Sequence, residues 1–274
     1  MIIKSKEKLL DLSSPVIMGI LNVTPDSFYD GGFYDNEKKV LSQVKKMIDQ
    51  GARIIDVGGY SSRPGADDIT ANLELERVLP IVKLIKENFP EVLISIDTFR
   101  SEVAKQCVKN GADIVNDISG GSLDSKMFEI VADLGVPYIM MHMRGNPSNM
   151  MNKTDYENVI NEIEEYFKQK IELAESLGIN DIIIDPGFGF SKTTKQNFDI
   201  LNNLNFLSKL DRPLLIGVSR KSMIYKTLGI SPIDSLNGST VLHTISLLNG
   251  AKIIRTHDVK EARECIRLVN ELKS

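Results

Sequence analysis

There is no tryptophan in these 274 residues, and only two cysteines. Cys107 and Cys265 each fall inside a helical pattern, so they offer neither the disulfide framework of a small secreted domain nor the spacing of a metal site. No stretch reaches the roughly 20 apolar residues that a membrane span needs. Met1–Ser14 is polar, and Leu9-Leu10 is too short an apolar run, so no signal peptide is expected. An excess of basic charge is missing too: Lys+Arg is 33 against 37 Asp+Glu, a formal charge of −4. That balance argues against general nucleic-acid binding and leaves room for a local basic pocket. No linker, low-complexity tract or shift of composition divides the chain. A cytoplasmic protein with one domain over 1–274 is expected.

Against these absences stands one repeated pattern. A short apolar or β-branched run ends in polar residues or glycine, and a helical pattern follows. The runs are Val16–Asn22, Arg53–Gly58, Val92–Asp97, Asp113–Asp117, Pro137–His142, Asp181–Asp185, Pro213–Ser219 and Lys252–His257. Nearly continuous apolar runs suit strands buried on both faces of a parallel sheet. Between them, Val40, Leu41, Val44, Met47 and Ile48 recur at helix spacing. So do Tyr156, Val159, Ile160, Ile163, Phe167, Ile171 and Ala174. Gly51, Gly111, Gly135 and Gly178 sit where helices should end. Eight alternating units in a chain that is 42% hydrophobic predict an α/β fold, a (β/α)8 TIM barrel over 15–274. An open doubly wound sheet is the other architecture that the pattern admits. Residues 1–14 form an extension, read as a small hairpin plugging the barrel floor.

In such a barrel the chemistry is built at the C-terminal ends of the strands. The polar residues collect there: Asn22, Asp56, Asp97, Asn116 with Asp117, His142, Asp185, Ser219-Arg220-Lys221, and Arg255 with His257. Any one Asp or Asn at a strand end reads more simply as a helix cap or turn residue. Eight such positions on one rim do not. His142 and Met143 read as packing or rim residues, and Phe188 and Phe190 also suit simple core plugs. Two long loops rich in glycine and proline, 24–33 and 60–68, follow the first two runs and could close over a site. Arg63 in the second suits an anion, because guanidinium forks onto phosphate oxygens.

These segments carry a family resemblance. Met18-Gly19-Ile20-Leu21-Asn22-Val23-Thr24-Pro25-Asp26-Ser27-Phe28 resembles the first signature of the dihydropteroate synthase family. Asp56-Val57-Gly58-Gly59, followed by Ser61-Ser62-Arg63-Pro64-Gly65, resembles the second. Ser95-Ile96-Asp97-Thr98, Asn116-Asp117, Asp185-Pro186-Gly187-Phe188-Gly189-Phe190, Ser219-Arg220-Lys221-Ser222 and Arg255-Thr256-His257 continue the match in family order. One such motif is weak evidence; the ordered set is specific.

The resemblance implies a transferase of folate biosynthesis and a sulfonamide target. It joins a dihydropterin carrying a CH2–diphosphate to p-aminobenzoate, with Mg2+, in a homodimer. Asp97, Asn116, Asp185 and Lys221 would then bind the pterin. Ser62, Arg63, Arg255, Thr256 and His257 would hold the diphosphate. Phe28, Ser62, Pro64, Phe190 and Ser222 would shape the p-aminobenzoate pocket, and Asn22 would ligate the Mg2+. Ser62 replaces the family's usual threonine, which removes a methyl from that pocket. Two other readings compete. A methyltetrahydrofolate-binding module of a corrinoid methyltransferase would share Asp97, Asn116 and Asp185 but has no use for Ser219-Arg220-Lys221 or the Arg255-x-His257 pair. A non-catalytic paralogue would be expected to lose Asn22 or that pair, and both are present.

Overall fold

Each apolar run becomes a strand whose backbone is paired on both sides and whose two faces are both covered. The computed structural model describes residues 1–23, 32–60 and 69–272. A hairpin, β1 (Ile2–Ser5) and β2 (Lys8–Asp11), comes first. The barrel strands are β3 (Val16–Asn22), β4 (Ala52–Gly58), β5 (Leu93–Asp97), β6 (Ile114–Asp117), β7 (Tyr138–Met141), β8 (Ile182–Asp185), β9 (Leu215–Ile216) and β10 (Ile253–Thr256). Helices α1 (Gly32–Gln50), α2 (Ala71–Asn88), α3 (Ser101–Lys109), α4 (Met127–Leu134), α5 (Val159–Ser176) and α6 (Thr194–Asn202) lie in the successive crossovers. The β9–β10 crossover holds α7 (Ser222–Leu228) and α8 (Leu236–Leu248), and α9 (Val259–Glu271) follows β10.

Strands β3 to β8 are neighbours in chain order, and β10 lies between β3 and β9. All their pairings are parallel. A parallel bridge between Ile184 and Leu214 brings β8 onto the start of β9. There the Ile184 N–H donates to the Pro213 carbonyl at 3.0 Å. The ring is closed by backbone contact, which rules out the open doubly wound sheet.

The period of two along a strand sorts residues into an outer and an inner set. Outward residues such as Ile17, Ile55, Val57, Ile94, Val115, Met140, Ile184 and Ile254 pack under the helices. α1 buries Val40, Val44 and Met47 against them, and α5 buries Val159, Ile163, Phe167, Ile171 and Ala174. Helix α5 starts later than its periodicity suggests, because Asn158 caps it by accepting from the Ile160 and Asn161 N–H groups. Tyr156 therefore stays outside the helix, stacked under the Arg144 guanidinium. The lowest inner layer takes one residue from each strand: Met18, Ile54, Leu93, Ile114, Ile139, Ile183, Leu215 and Ile253.

Ile3, Leu10 and Leu12 complete that layer from below. The hairpin thus plugs the floor, as its position before the first strand suggests. Polar ties hold it there. Lys8 Nζ donates to the Val92 carbonyl at 2.7 Å and pairs with Asp113 at 3.2 Å. Lys6 Nζ donates at 2.9 Å to the Val108 carbonyl, in the last turn of α3, where helix carbonyls lack partners. Leu12 is fully buried. Leu12→Ala is expected to cost about 2–5 kcal/mol of unfolding free energy, as large-to-small core changes do. Ligand affinity at the opposite end of the barrel should be unchanged. Urea unfolding with a ligand titration checks both; a cost below about 1 kcal/mol would mean the plug is dispensable.

Candidate active site

Two residues above the apolar floor, the inner layer turns polar. The same parity that points Ile54, Ile114, Ile183 and Ile253 inward also points Asp56, Asn116, Asp185 and Arg255 inward. Another two residues on, it brings Asn22, Gly58, Asp97, Ser219 and His257 to the mouth. The cup so formed is lined by Asp97, Asn116, Ile118, Met141, Asp185, Phe188, Phe190, Gly217, Lys221 and Arg255. Its water-sized free space is about 50 Å3, and it opens to solvent at the barrel mouth.

Arg255 organises one wall. Its Nε donates to Asp56 Oδ2 at 2.7 Å, and its Nη2 donates to Asp97 Oδ2 at 2.7 Å. Asn116 Nδ2 donates to both oxygens of Asp56, at 3.1 and 3.3 Å. This fixes the amide and leaves its oxygen for the cup. On the far wall, Asp185 Oδ1 accepts the Gly187 N–H at 2.7 Å. Its Oδ2 lies on the side of Gly217, where even a methyl group would stand 4.0 Å away. Lys221 Nζ hangs 4.3 Å from the centre of the Phe190 ring, at cation–π range.

Burial and mixed charge shift these groups. Burial pushes the Asp97 carboxyl up to about 7, with Arg255 pulling the other way and Asp56 adding to the rise. Burial also raises Asp185, opposed by the Gly187 N–H and by Lys221. Lys221 is drawn down to about 8, first by burial and then by Arg255. Arg255 moves upward instead: burial works against its charge, but Asp56 and Asp97 more than offset it. Three carboxylates and two cations therefore share one desolvated cup, the setting in which functional groups are tuned.

The structure brings together most of the residues singled out from sequence. Asp97, Asn116, Asp185, Phe190, Lys221 and Arg255 all line the cup. Asn22 and His257 stand exposed at its rim, with Ser219 Oγ 3.2 Å from His257 Nδ1. Ser222 opens α7 beside Lys221 and is half-buried, off the cup lining. Phe28, Ser62, Arg63 and Pro64 lie outside the described residues.

Some expectations need correction. The Thr256 side chain faces away from the cup: it has the opposite parity to Arg255 and His257, is fully buried, and accepts the Asp258 N–H at 3.0 Å. Asp117 likewise turns away from the mouth, and His142 takes the packing role that the sequence left open to it. Asp117 accepts from Tyr138 Oη at 2.7 Å, and His142 packs edge-on to Tyr166. Arg220 leaves the rim for a two-pronged pair with Asp258, at 2.9 and 2.6 Å. Three contributors had no role assigned from sequence. Asp56 anchors both Asn116 and Arg255, and Met141 and Gly217 share the inward parity of Ile139 and Leu215.

Comparison with known proteins gives a consistent result. Residues 18–257 match the family model described as pterin binding enzyme. The dihydropteroate synthase of Escherichia coli strain K12 is 45% identical over 262 residues, 95% of this chain and 92% of that protein. The solved structure of the Yersinia pestis dihydropteroate synthase with a sulfonamide drug superposes with a TM-score of 0.93 at 39% identity, covering 100% of this chain and 99% of that one. That of the Xanthomonas albilineans dihydropteroate synthase with 4-aminobenzoic acid gives 0.92 at 33% identity, covering 100% and 98%.

Proposed function

Because this chain belongs to the dihydropteroate synthase family of pterin-binding enzymes, we propose that the cup at its barrel mouth seats the dihydropterin and that the chemistry runs at its rim. The enzyme is a transferase of folate biosynthesis. It forms a bond from the amine of p-aminobenzoate to the pterin's exocyclic methylene, and the bond from that methylene to diphosphate breaks. The single observation that carries the site assignment is the inward layer Asp56, Asn116, Asp185 and Arg255, stacked directly on an apolar floor.

Each group has work to do in this reading. Asp185 takes two N–H bonds from the pterin's amino-pyrimidine edge, a pairing that suits a carboxylate's two oxygens. Asn116, its amide set by Asp56, accepts from the ring. Lys221 donates to the carbonyl or N5 region. As diphosphate departs, positive charge spreads from the methylene into the ring, and Asp97 faces it. Arg255 Nη1 bonds to none of the described residues, and with His257 it meets the departing anion; Arg63 adds to this grip. Phe190 packs on the aryl side, the place that a sulfonamide would take. The aryl pocket's other members, Phe28, Ser62, Pro64 and Ser222, complete one substrate site in a single pterin-binding domain.

Mg2+ suits this rim. Asn22 presents an exposed amide oxygen with no hydrogen bond to the described residues. Among those residues no group of three His, Cys, Asp or Glu side chains could cage a metal. A cation that keeps most of its waters and binds substrate phosphate fits a single amide ligand. When bound, it supplies charge neutralisation for the departing diphosphate. The unpaired buried thiols of Cys107 and Cys265 accord with a reducing cytoplasm. A homodimer is supported by Leu228, Ile233, Val241, Leu248, Leu268 and Leu272, which stand exposed on and beside α7, α8 and α9.

The test is incubation with the pterin diphosphate, p-aminobenzoate and Mg2+, followed for diphosphate release and a pteroate product; no product would sink the assignment. A pH profile adds a sharper expectation. If pterin binding needs the Lys221 ammonium, kcat/KM for the pterin should fall as pH rises through about 8. Lys221→Arg, charged throughout, should lose that alkaline limb. A limb that survives the substitution belongs to another group.

A further inference from the structure

Lys192 is among the largest fully buried side chains of the barrel, with 2% of its surface exposed. Its ammonium is held by neutral acceptors. The Phe190 carbonyl stands at 2.9 Å, the Gly187 carbonyl at 3.0 Å, His142 Nδ1 at 3.0 Å and the His142 carbonyl at 3.3 Å. A buried cation is costly unless its hydrogen bonds are satisfied. Burial draws Lys192 down to about 7; in its ammonium form it has three protons and no lone pair, so the His142 ring nitrogen then accepts and the ring proton lies on Nε2. Burial draws His142 well below its ordinary range, which keeps the ring neutral.

What Lys192 gathers is the turn that leaves β8. Gly187, Gly189 and Ser191 all have positive φ, at +71°, +80° and +47°. The turn presses on the end of β7 so closely that a methyl on Gly187 would meet the His142 carbonyl at 2.2 Å. It also carries much of one wall of the cup. The Gly187 N–H orients Asp185, Phe188 and Phe190 line the cavity, and the Phe190 ring receives Lys221. Asn197 braces the same turn by accepting the Gly189 N–H at 2.7 Å.

We propose that Lys192 is a positioning residue for pterin recognition: by tying the Gly187 and Phe190 carbonyls to His142, it sets the turn that aims Asp185 and holds Phe190 under Lys221. It touches no substrate; it works through backbone that does. The inference rests on the reading of the cup as the pterin seat.

The experiment compares Lys192→Met, Lys192→Gln and Asp185→Asn, using a dihydropterin without diphosphate in calorimetry and the complete reaction in kinetics. Lys192→Met strands buried carbonyls, an event that typically shifts an equilibrium about 5- to 100-fold. Pterin affinity should fall by that factor and the pterin KM should rise in step. The kcat at saturation should hold within about twofold, because lost ground-state positioning appears in KM. Lys192→Gln, which keeps two donors, should recover part of the affinity. In the Asp185→Asn background, Lys192→Met should cost less than it does alone, since both act on one contact. Wild-type affinity in Lys192→Met, a loss confined to kcat, or a cost that simply adds to that of Asp185→Asn would overturn the proposal. Should Lys192→Met not fold, Lys192→Gln decides: weakened pterin binding at unchanged kcat upholds it, and unchanged binding overturns it. If Asp185→Asn itself binds pterin normally, the cup assignment fails instead.

Discussion

Arg255→Ala is expected to lower turnover about 10²- to 10³-fold, the usual cost of deleting one preorganised group at developing charge. The structure adds a second consequence. The guanidinium is the shared partner of Asp56, fully buried, and of Asp97. Its removal leaves two carboxylates facing each other in a desolvated cup, and breaking a buried pair from one side costs about 3–5 kcal/mol of stability. The sign with pH follows from Asp97. Its folded pKa, about 7, already exceeds the unfolded value. Folded protein therefore holds this proton more tightly, and the stability so gained is lost as pH rises from the unfolded pKa through the folded one. Without Arg255 the folded pKa rises further, so the loss continues to higher pH in the variant, whereas in the wild type it tapers off as pH passes through about 7. The stability gap should widen between pH 6 and pH 8. Diphosphate-release kinetics and urea midpoints at the two pH values check both claims. Turnover near wild type would remove Arg255 from the reaction, and a constant gap would mean that the carboxylates do not depend on it.

Asp185→Asn is expected to keep the fold and weaken pterin binding by about 2–5 kcal/mol, the range for truncating one partner of a buried charged contact. The geometry explains why an isostere fails. Asp185 needs acceptors on both oxygens: Oδ1 takes the Gly187 N–H at 2.7 Å, and the other faces the cup. An asparagine has one oxygen and must aim its NH2 either at the Gly187 N–H or at the ligand's own N–H groups. Both choices set donor against donor. Calorimetry with a pterin fragment is the measurement, and wild-type affinity would take Asp185 out of the site.

Much of this enzyme was legible in its sequence. The eight apolar runs fall on the eight barrel strands, and the strand-end residues Asp97, Asn116, Asp185, Lys221 and Arg255 do meet in one cup. The reason is local: a βα repeat dictates which end of every strand carries the loops, and strand ends are read directly from where apolar residues stop. The hairpin plug was legible for a similar reason, since residues ahead of the first strand emerge at the barrel floor.

Facing was not legible in the same way. These strands are apolar on both sides, so no alternation of polar and apolar residues marks the inner face. The Thr256 and Asp117 side chains were therefore placed at the mouth by position alone, although the barrel turns them outward. Pairing was hidden as well. Arg255 meets Asp56 across 199 residues of sequence, and only closure of the ring makes β10 a neighbour of β3 and brings those side chains together. The same holds for Lys192, which in sequence is one more lysine after a glycine turn. Its burial beneath that turn, against His142 from another strand, is decided by how the β7 and β8 ends pack. Composition, period and motif order determined the family, the fold and the end of the barrel that works. Tertiary structure alone decided which groups share a proton or a cation, because those contacts depend on distances across the barrel that no local pattern encodes.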